Sequence, residues 1–307
     1  MRVINRSSKN LILSIISFAW LISACQTHQK GDTWIREQDG MKMVFVPAGE
    51  FQMGSSKDLV FAAKDLCKES YKGEITAGIC TFTSYMDEYP DHPVSLSEFW
   101  LDQTEVTNGQ YYLCVEAGSC DPPLELGSFS RDDYFGTTEF EHYPAINMTE
   151  VMAAEYCSWI GGRLPTEAEW AFAARGPESF IFPWGNEFDP TRLNYCDASC
   201  PGVSDPEFDD GYPDTSPVGS FPEGASWVGA LDMSGNVREW VSDYYGHFTM
   251  DPQEDPQGPA KGDAKVSRGG SWYDTFYNLR SNNRGSNALD YYRHKLGFRC
   301  VREGIYR

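Results

Sequence analysis

YCSWIGGRLPTEAEWAFAARG, residues 156–176, carries more folding information than any other stretch of the chain, because its stops and starts are all written in it. Upstream, Thr149 stands at an N-cap position ahead of a helix over Glu150 to Ile160. The Gly161-Gly162 pair ends that helix, since glycine takes the left-handed conformation at a helix end at no steric cost. Thr166 with Glu169 three residues on is a capping box, opening a second helix to about Arg175. In the first helix Val151, Ala154 and Cys157 fall on one face, which predicts that Cys157 points into the core.

Working outward, Thr107 with Gln110 forms another capping box, and Gly118 suits that helix's stop. Strand signals are short: Met43 to Val46, the alternating Val94-Ser95-Leu96-Ser97, and Phe298 to Val301. Glycine (28), proline (18) and aromatics (14%) are abundant while long apolar-periodic segments are few. Together these predict one α+β domain over 40–303, irregular and loop-rich, with short helices and short antiparallel strands. Residues 57–88, holding Cys67 and Cys80, read as an insertion, and 124–142 is a second irregular stretch.

The N-terminus has a different character. Arg2, Arg6 and Lys9 precede an uncharged run from Leu11 to Ala24. That run is short of the ~20 residues a membrane-spanning helix needs and has the layout of a secretory signal. It ends in Leu-Ile-Ser-Ala-Cys at 21–25, which resembles a bacterial lipobox: 1–24 is then the signal peptide and Cys25 the lipidated first residue. Acyl chains there hold a protein on a membrane. Residues 25–39 read as the lipidated start and a polar tether, and Gln26 after the cysteine favours the outer membrane of the cell envelope. Without the signal, 22 basic residues face 45 acidic ones, a charge near −23. This argues against nucleic acid or anionic surfaces as partners and is compatible with bound cations.

Nine cysteines become eight once Cys25 carries lipid. Cys114 and Cys120 lie close in sequence, as do Cys196 and Cys200; Cys67 and Cys80 bracket the insertion; Cys157 and Cys300 remain. Spacing alone leaves many connectivities open. No second Cys or His pair stands at ligand spacing beside Cys196 and Cys200, so a disulfide is favoured there over a zinc half-site.

Seven strings in order resemble the formylglycine-generating-enzyme, or sulfatase-modifying factor, family: MVFVPAGEFQMG (43–54), HPVSLSEFWLDQTEVTN (92–108), YCSWIGGRLPTEAEWAFAARG (156–176), FPWGN (182–186), SGNVREW (234–240), RGGSW (268–272) and LGFRCVR (296–302). The resemblance implies a variant of the C-type-lectin-like fold, and it places Cys157 and Cys300 on positions that bridge to each other. Catalytic members hold Cu(I) between two cysteines just after the GGS-aromatic string. Here Asp274 and Leu279 occupy those positions, and 272–284 contains no cysteine. A hard carboxylate and an aliphatic side chain do not replace two thiolates, so no catalytic residue is assigned and copper is not expected.

The family's calcium positions are better kept. The first centre corresponds to Asn194, the carbonyls of Tyr195 and Tyr212, and Asp210; the second to Asp232, the carbonyls of Gly235 and Val237, and Glu239. Such mixtures of carboxylate, amide and carbonyl oxygens suit calcium, which is the expected cofactor. Trp272, Tyr273, Phe276, Tyr277, Arg280 and Arg284 fall at the family's substrate groove, as a ligand platform or as core and rim. No GxSxG, phosphate-loop or HExxH pattern is present. The expectation is a non-catalytic envelope lipoprotein binding a protein or polymer; some relatives, such as gliding-motility lipoproteins, combine a lipid anchor with this fold and act as structural components. The alternative is an oxidoreductase of the same fold using a site without cysteine.

Overall fold

The three expected helices form where their caps stand in a computed structural model describing residues 28–70, 80–201 and 205–304. Thr107 accepts from the Gln110 amide while the Gln110 side chain accepts from Thr107, opening α2 (Asn108–Glu116). Thr149 caps α3 (Glu150–Trp159), and Thr166 with Glu169 completes a second box on α4 (Glu167–Arg175). Gly118, Gly161 and Gly176 follow α2, α3 and α4 with positive φ. The fourth described helix, α1 (Lys57–Ser70), and a 3-10 segment (Phe82–Glu88) fill the inserted stretch, which the Cys67–Cys80 bridge closes.

The strands are β1 (Thr33–Ile35), β2 (Lys42–Val46), β3 (Gly49–Met53), β4 (His92–Leu96), β5 (Phe99–Asp102), β6 (Arg238–Tyr244), β7 (Gln253–Glu254), β8 (Ala264–Arg268), β9 (Gly285–Ala288), β10 (Leu296–Phe298) and β11 (Val301–Arg302). They form three sheets, ordered β1-β2-β5-β11, β10-β6-β8-β9 and β3-β4-β7. Pairing is antiparallel except for β10 with β6 and β4 with β7. Side-chain alternation puts the first sheet between two cores. Met43, Phe45 and Trp100 join Tyr111, Tyr156 and Phe298 on one side. Val44, Val46, Phe99 and Leu101 join Trp170, Phe172 and Val241 on the other. Helix α4 is buried on every side, as its run of alanines allows.

Three expectations are corrected. Val151 is exposed; the inward face of α3 is Met152, Ala153, Tyr156 and Cys157. Cys157 is nevertheless in the core and bridged to Cys300. The stretch read as tether enters the domain well before residue 40. Trp34 packs on the core, and buried Arg36 bridges Asp39 and Asp102, with Nη1 2.7 Å from Asp102 Oδ1. The strand expected over 298–301 is two strands, β10 and β11, because Arg299 between them turns inward. Cys25 and the signal peptide lie outside the described residues. Among the described residues no helix is long and apolar enough to cross a membrane.

Candidate functional site

The tight turn Gly269-Gly270 leads from β8 into the position where the family's cysteines would stand. Both glycines have positive φ, and a Cβ on Gly270 would lie 2.8 Å from Leu279 Cδ2 and 2.9 Å from the Asn278 carbonyl. Beyond the turn, Asp274 is buried and committed. Its Oδ2 accepts from Ser271 Oγ (2.7 Å) and Arg238 Nε (3.1 Å), and its carbonyl accepts from the Cys196 amide. Burial pushes this carboxyl up, but the Arg238 and Lys295 charges and the Ser271 bond prevail and hold it below the usual range. Leu279 is wholly buried, packed with Phe182, Leu193 and Tyr195. One position is therefore an ion pair and the other is packing; neither offers a soft donor.

The aromatic segment does not form a single platform. Trp272 is buried and Tyr277 lies in the small core under α1. Arg280 forks onto Glu88 at 2.7 and 2.9 Å, and Arg284 onto Glu167 at 2.6 and 2.8 Å, so both arginines are structural. What remains at the surface is Tyr273, joined by Phe129 from the irregular 124–142 stretch. Phe129 also meets Trp272 and His294 at 5.4 and 5.3 Å between ring centres. The sequence reading missed Phe129.

The first expected calcium centre fits a hard cation. Asn194 is buried with its Nδ2 bonded to the Asp214 carbonyl, leaving Oδ1 buried without a partner. Asp210 Oδ1 accepts from the Tyr212 amide, and Oδ2 is likewise buried and unpartnered. Burial, with the charge of Asp197 adding to it, pushes the Asp210 carboxyl up to about 7. Asp197, Asp209 and Asp210 each bring an oxygen within 4.8 Å of the others. Asp197, which no motif marked, is fully buried and accepts the Asp210 amide. The Cys196–Cys200 bridge pins this loop.

The second centre does not fit its expected set. Asp232 has a left-handed backbone (φ 57°), which aspartate tolerates better than most residues. Its Oδ2 accepts the Gly219 amide at 2.6 Å. Gly235 must be glycine, since a Cβ would lie 2.2 Å from the Asn194 carbonyl. Glu239, however, is already held. Arg299 grips it through Nε (2.6 Å) and Nη2 (2.8 Å), and Trp170 Nε1 donates at 2.8 Å. A cation approaching Glu239 would meet the guanidinium.

Two clefts lie away from Asp274 and Leu279. One, of about 500 Å³, is walled by Met53, His92, Glu167, Asp243, Phe248 and Arg284; the other, of about 550 Å³, lies by Gly40, Thr107 and Gln110. In the first, burial and then the charge of Glu167 push the Asp243 carboxyl up to about 7.

A model of the sulfatase-modifying factor enzyme 1-like domain matches residues 30–304. The chain belongs to this family. It is 31% identical over 305 residues to the formylglycine-generating enzyme of Streptomyces coelicolor, covering 85% of this chain and 88% of that protein. It is 33% identical over 231 residues to the serine/threonine-protein kinase pkn1 of Chlamydia caviae, covering 70% of this chain but 35% of the kinase. The chain thus spans about a third of the length of that relative. The solved structure of PvdO from Pseudomonas aeruginosa superposes with a TM-score of 0.67 at 26% identity, covering 90% of this chain and all of PvdO. Family membership and the α+β fold are thereby established; the fate of the catalytic corner is a matter for this chain's own residues.

Proposed function

We propose that this family member is a non-catalytic binding module of the bacterial envelope, held on the membrane by lipid at Cys25 and stiffened by calcium. The reading is carried by the filled catalytic corner. Cu(I) chemistry on this scaffold calls for two thiolates, and here one position is the Arg238–Asp274 ion pair and the other is Leu279 in the core. Exposed Phe129 and Tyr273 stand beside that corner, with Leu124 and Leu126 nearby in sequence and also exposed. These apolar groups are the surface on which a protein or polymer partner would be met. The unpartnered oxygens of Asn194 and Asp210 support calcium at the first centre.

The test is crosslinking and purification of the intact protein from membranes, with elemental analysis of the same sample. The expected result is an acylated protein carrying calcium with a stoichiometric partner. Bound copper or iron, or aldehyde formation on a peptide bearing Cys-x-Pro-x-Arg, would replace this reading with that of an oxidoreductase.

A further inference from the structure

Phe129 is the exposed end of a turn that is fixed from below. Asp214, fully buried, accepts at Oδ2 from Ser128 Oγ (2.6 Å), the Ser130 amide (3.0 Å) and Ser130 Oγ (2.9 Å), and it pairs with Arg131. Asn147 Nδ2 adds a bond to the Gly127 carbonyl at 2.7 Å. The order of this turn is already met in the free protein, so a ligand of the 48% exposed Phe129 need not supply it. The Phe129 ring touches those of Trp272, Tyr273 and His294, and Trp272 meets His294 at 5.6 Å, which makes one four-ring wall.

Lys295 Nζ lies 5.1 Å from the centre of the Tyr273 ring. Among the described residues this partly buried ammonium has neither an ion-pair nor a hydrogen-bond partner. Burial pulls it below the usual lysine range; the charge of Asp274 opposes this, and those of Arg238 and Arg293 add to it. The buried acids nearby are committed elsewhere, Asp274 to Arg238 and Ser271, and Asp214 to Arg131. Exposed Glu125 reaches only the Tyr292 hydroxyl, at 3.4 Å. The His294 ring nitrogens also lack partners among the described residues, and burial, then the charge of Lys295, holds that ring below its usual range. In a chain with 45 acidic and 25 basic residues, an unneutralised and partly buried lysine is an exception. A charge taken from water is costly unless an opposite charge meets it.

We propose that Lys295 and this wall form a subsite for an oxyanion, a carboxylate or a phosphate, carried beside a ring or other flat apolar group. The exposed faces of Phe129 and Tyr273 take the apolar body, and Lys295 Nζ takes the charge. The chain's net negative charge repels extended polyanions, so the fit is to a single oxyanion and not to nucleic acid. The inference rests on the binding-module reading above and narrows the partner that such a module would meet.

The probes are benzoate, phenyl phosphate and neutral benzamide, titrated into the mature protein while the Trp272 indole N–H resonance is followed by NMR. At least one anion should saturate this shift, and benzamide should bind about tenfold more weakly, the worth of one charge-assisted contact. Lys295→Gln should remove that preference. Lys261→Gln, an equal charge loss at an exposed site near the opposite end of β6, should keep it. Phe129→Ala should weaken anions and benzamide alike. Saturation by benzoate alone names a carboxylate, and by phenyl phosphate alone a phosphate ester. Silence from both anions, benzamide matching them, or an unchanged preference in Lys295→Gln overturns the oxyanion subsite. If the partner crosslinked in membranes is then still lost in Phe129→Ala, the binding-module reading stands without it; if neither variant alters the partner's recovery, this face is not the docking surface and both readings of it fall.

Discussion

Replacing Asp243 with asparagine should change how stability depends on pH, and the size of the change follows from the cleft. Asp243 is 4% exposed; its Oδ2 accepts the Glu167 amide at 2.8 Å and Ser242 Oγ at 3.2 Å. Asparagine keeps an acceptor for both bonds and nearly the same volume, so packing changes little. Its charge behaviour differs. Burial and the nearby Glu167 raise the Asp243 carboxyl from 3.8 to about 7. A carboxyl raised on folding binds its proton more tightly in the native state, so its contribution is fully present below about pH 4 and is lost as pH rises through about 7. A shift of this size corresponds to a loss of about 4 kcal/mol between those limits, as an upper figure. The Asn variant should have similar stability to the wild type at pH 4 and exceed it by up to that amount at pH 8. Urea unfolding followed by tryptophan fluorescence, at saturating calcium, measures both proteins across the range. Other titrating groups cancel in the difference. A wild-type-minus-variant difference that stays flat from pH 4 to pH 8 would show that Asp243 is ionised at its ordinary pH and that the cleft does not desolvate it.

Non-reducing peptide mapping should recover Cys157 linked to Cys300; replacing both by serine opens a 143-residue separation and should cost about 5 kcal/mol by the chain-entropy estimate. Leu279→Ala should lower the unfolding free energy by roughly 2–5 kcal/mol, because it empties a fully buried site lined by Phe182, Leu193 and Tyr195. Cys25→Ala should abolish incorporation of labelled fatty acid, and an acylated variant protein would refute the anchor.

The local chemistry of caps and turns made α2, α3 and α4 legible to within a residue or two. Thr107, Thr149 and Thr166 satisfy helix amides a few positions away, so the signal and its effect share one stretch of sequence. All four bridges also matched, three from spacing and Cys157–Cys300 from the family resemblance. The phase of α3 was misread because three residues define a helical stripe only to about one position, and the helix turns Met152 rather than Val151 inward. The site's electrostatics could not be read locally. Arg299 meets Glu239 from 60 residues away and Arg280 meets Glu88 from 192. Without those partners, Arg280 and Arg284 look like groove residues and Glu239 looks like a free ligand.

The first sheet has β1 at one edge and β11 at the other, with β2 and β5 between. Three strand spacings of about 4.8 Å separate those edges, roughly 14 Å in all. A linker of about five extended residues, at ~3.3 Å each, would therefore reach from one to the other. The domain is in this sense nearly a closed loop, and a circular permutant joined there and reopened within 124–142 should keep every strand pairing. In the natural order, a pull applied ahead of β1 would load the β1–β2 ladder from its end, one hydrogen-bonded pair at a time. The core strands β2 and β5 would be strained only after that short outer strand had peeled away.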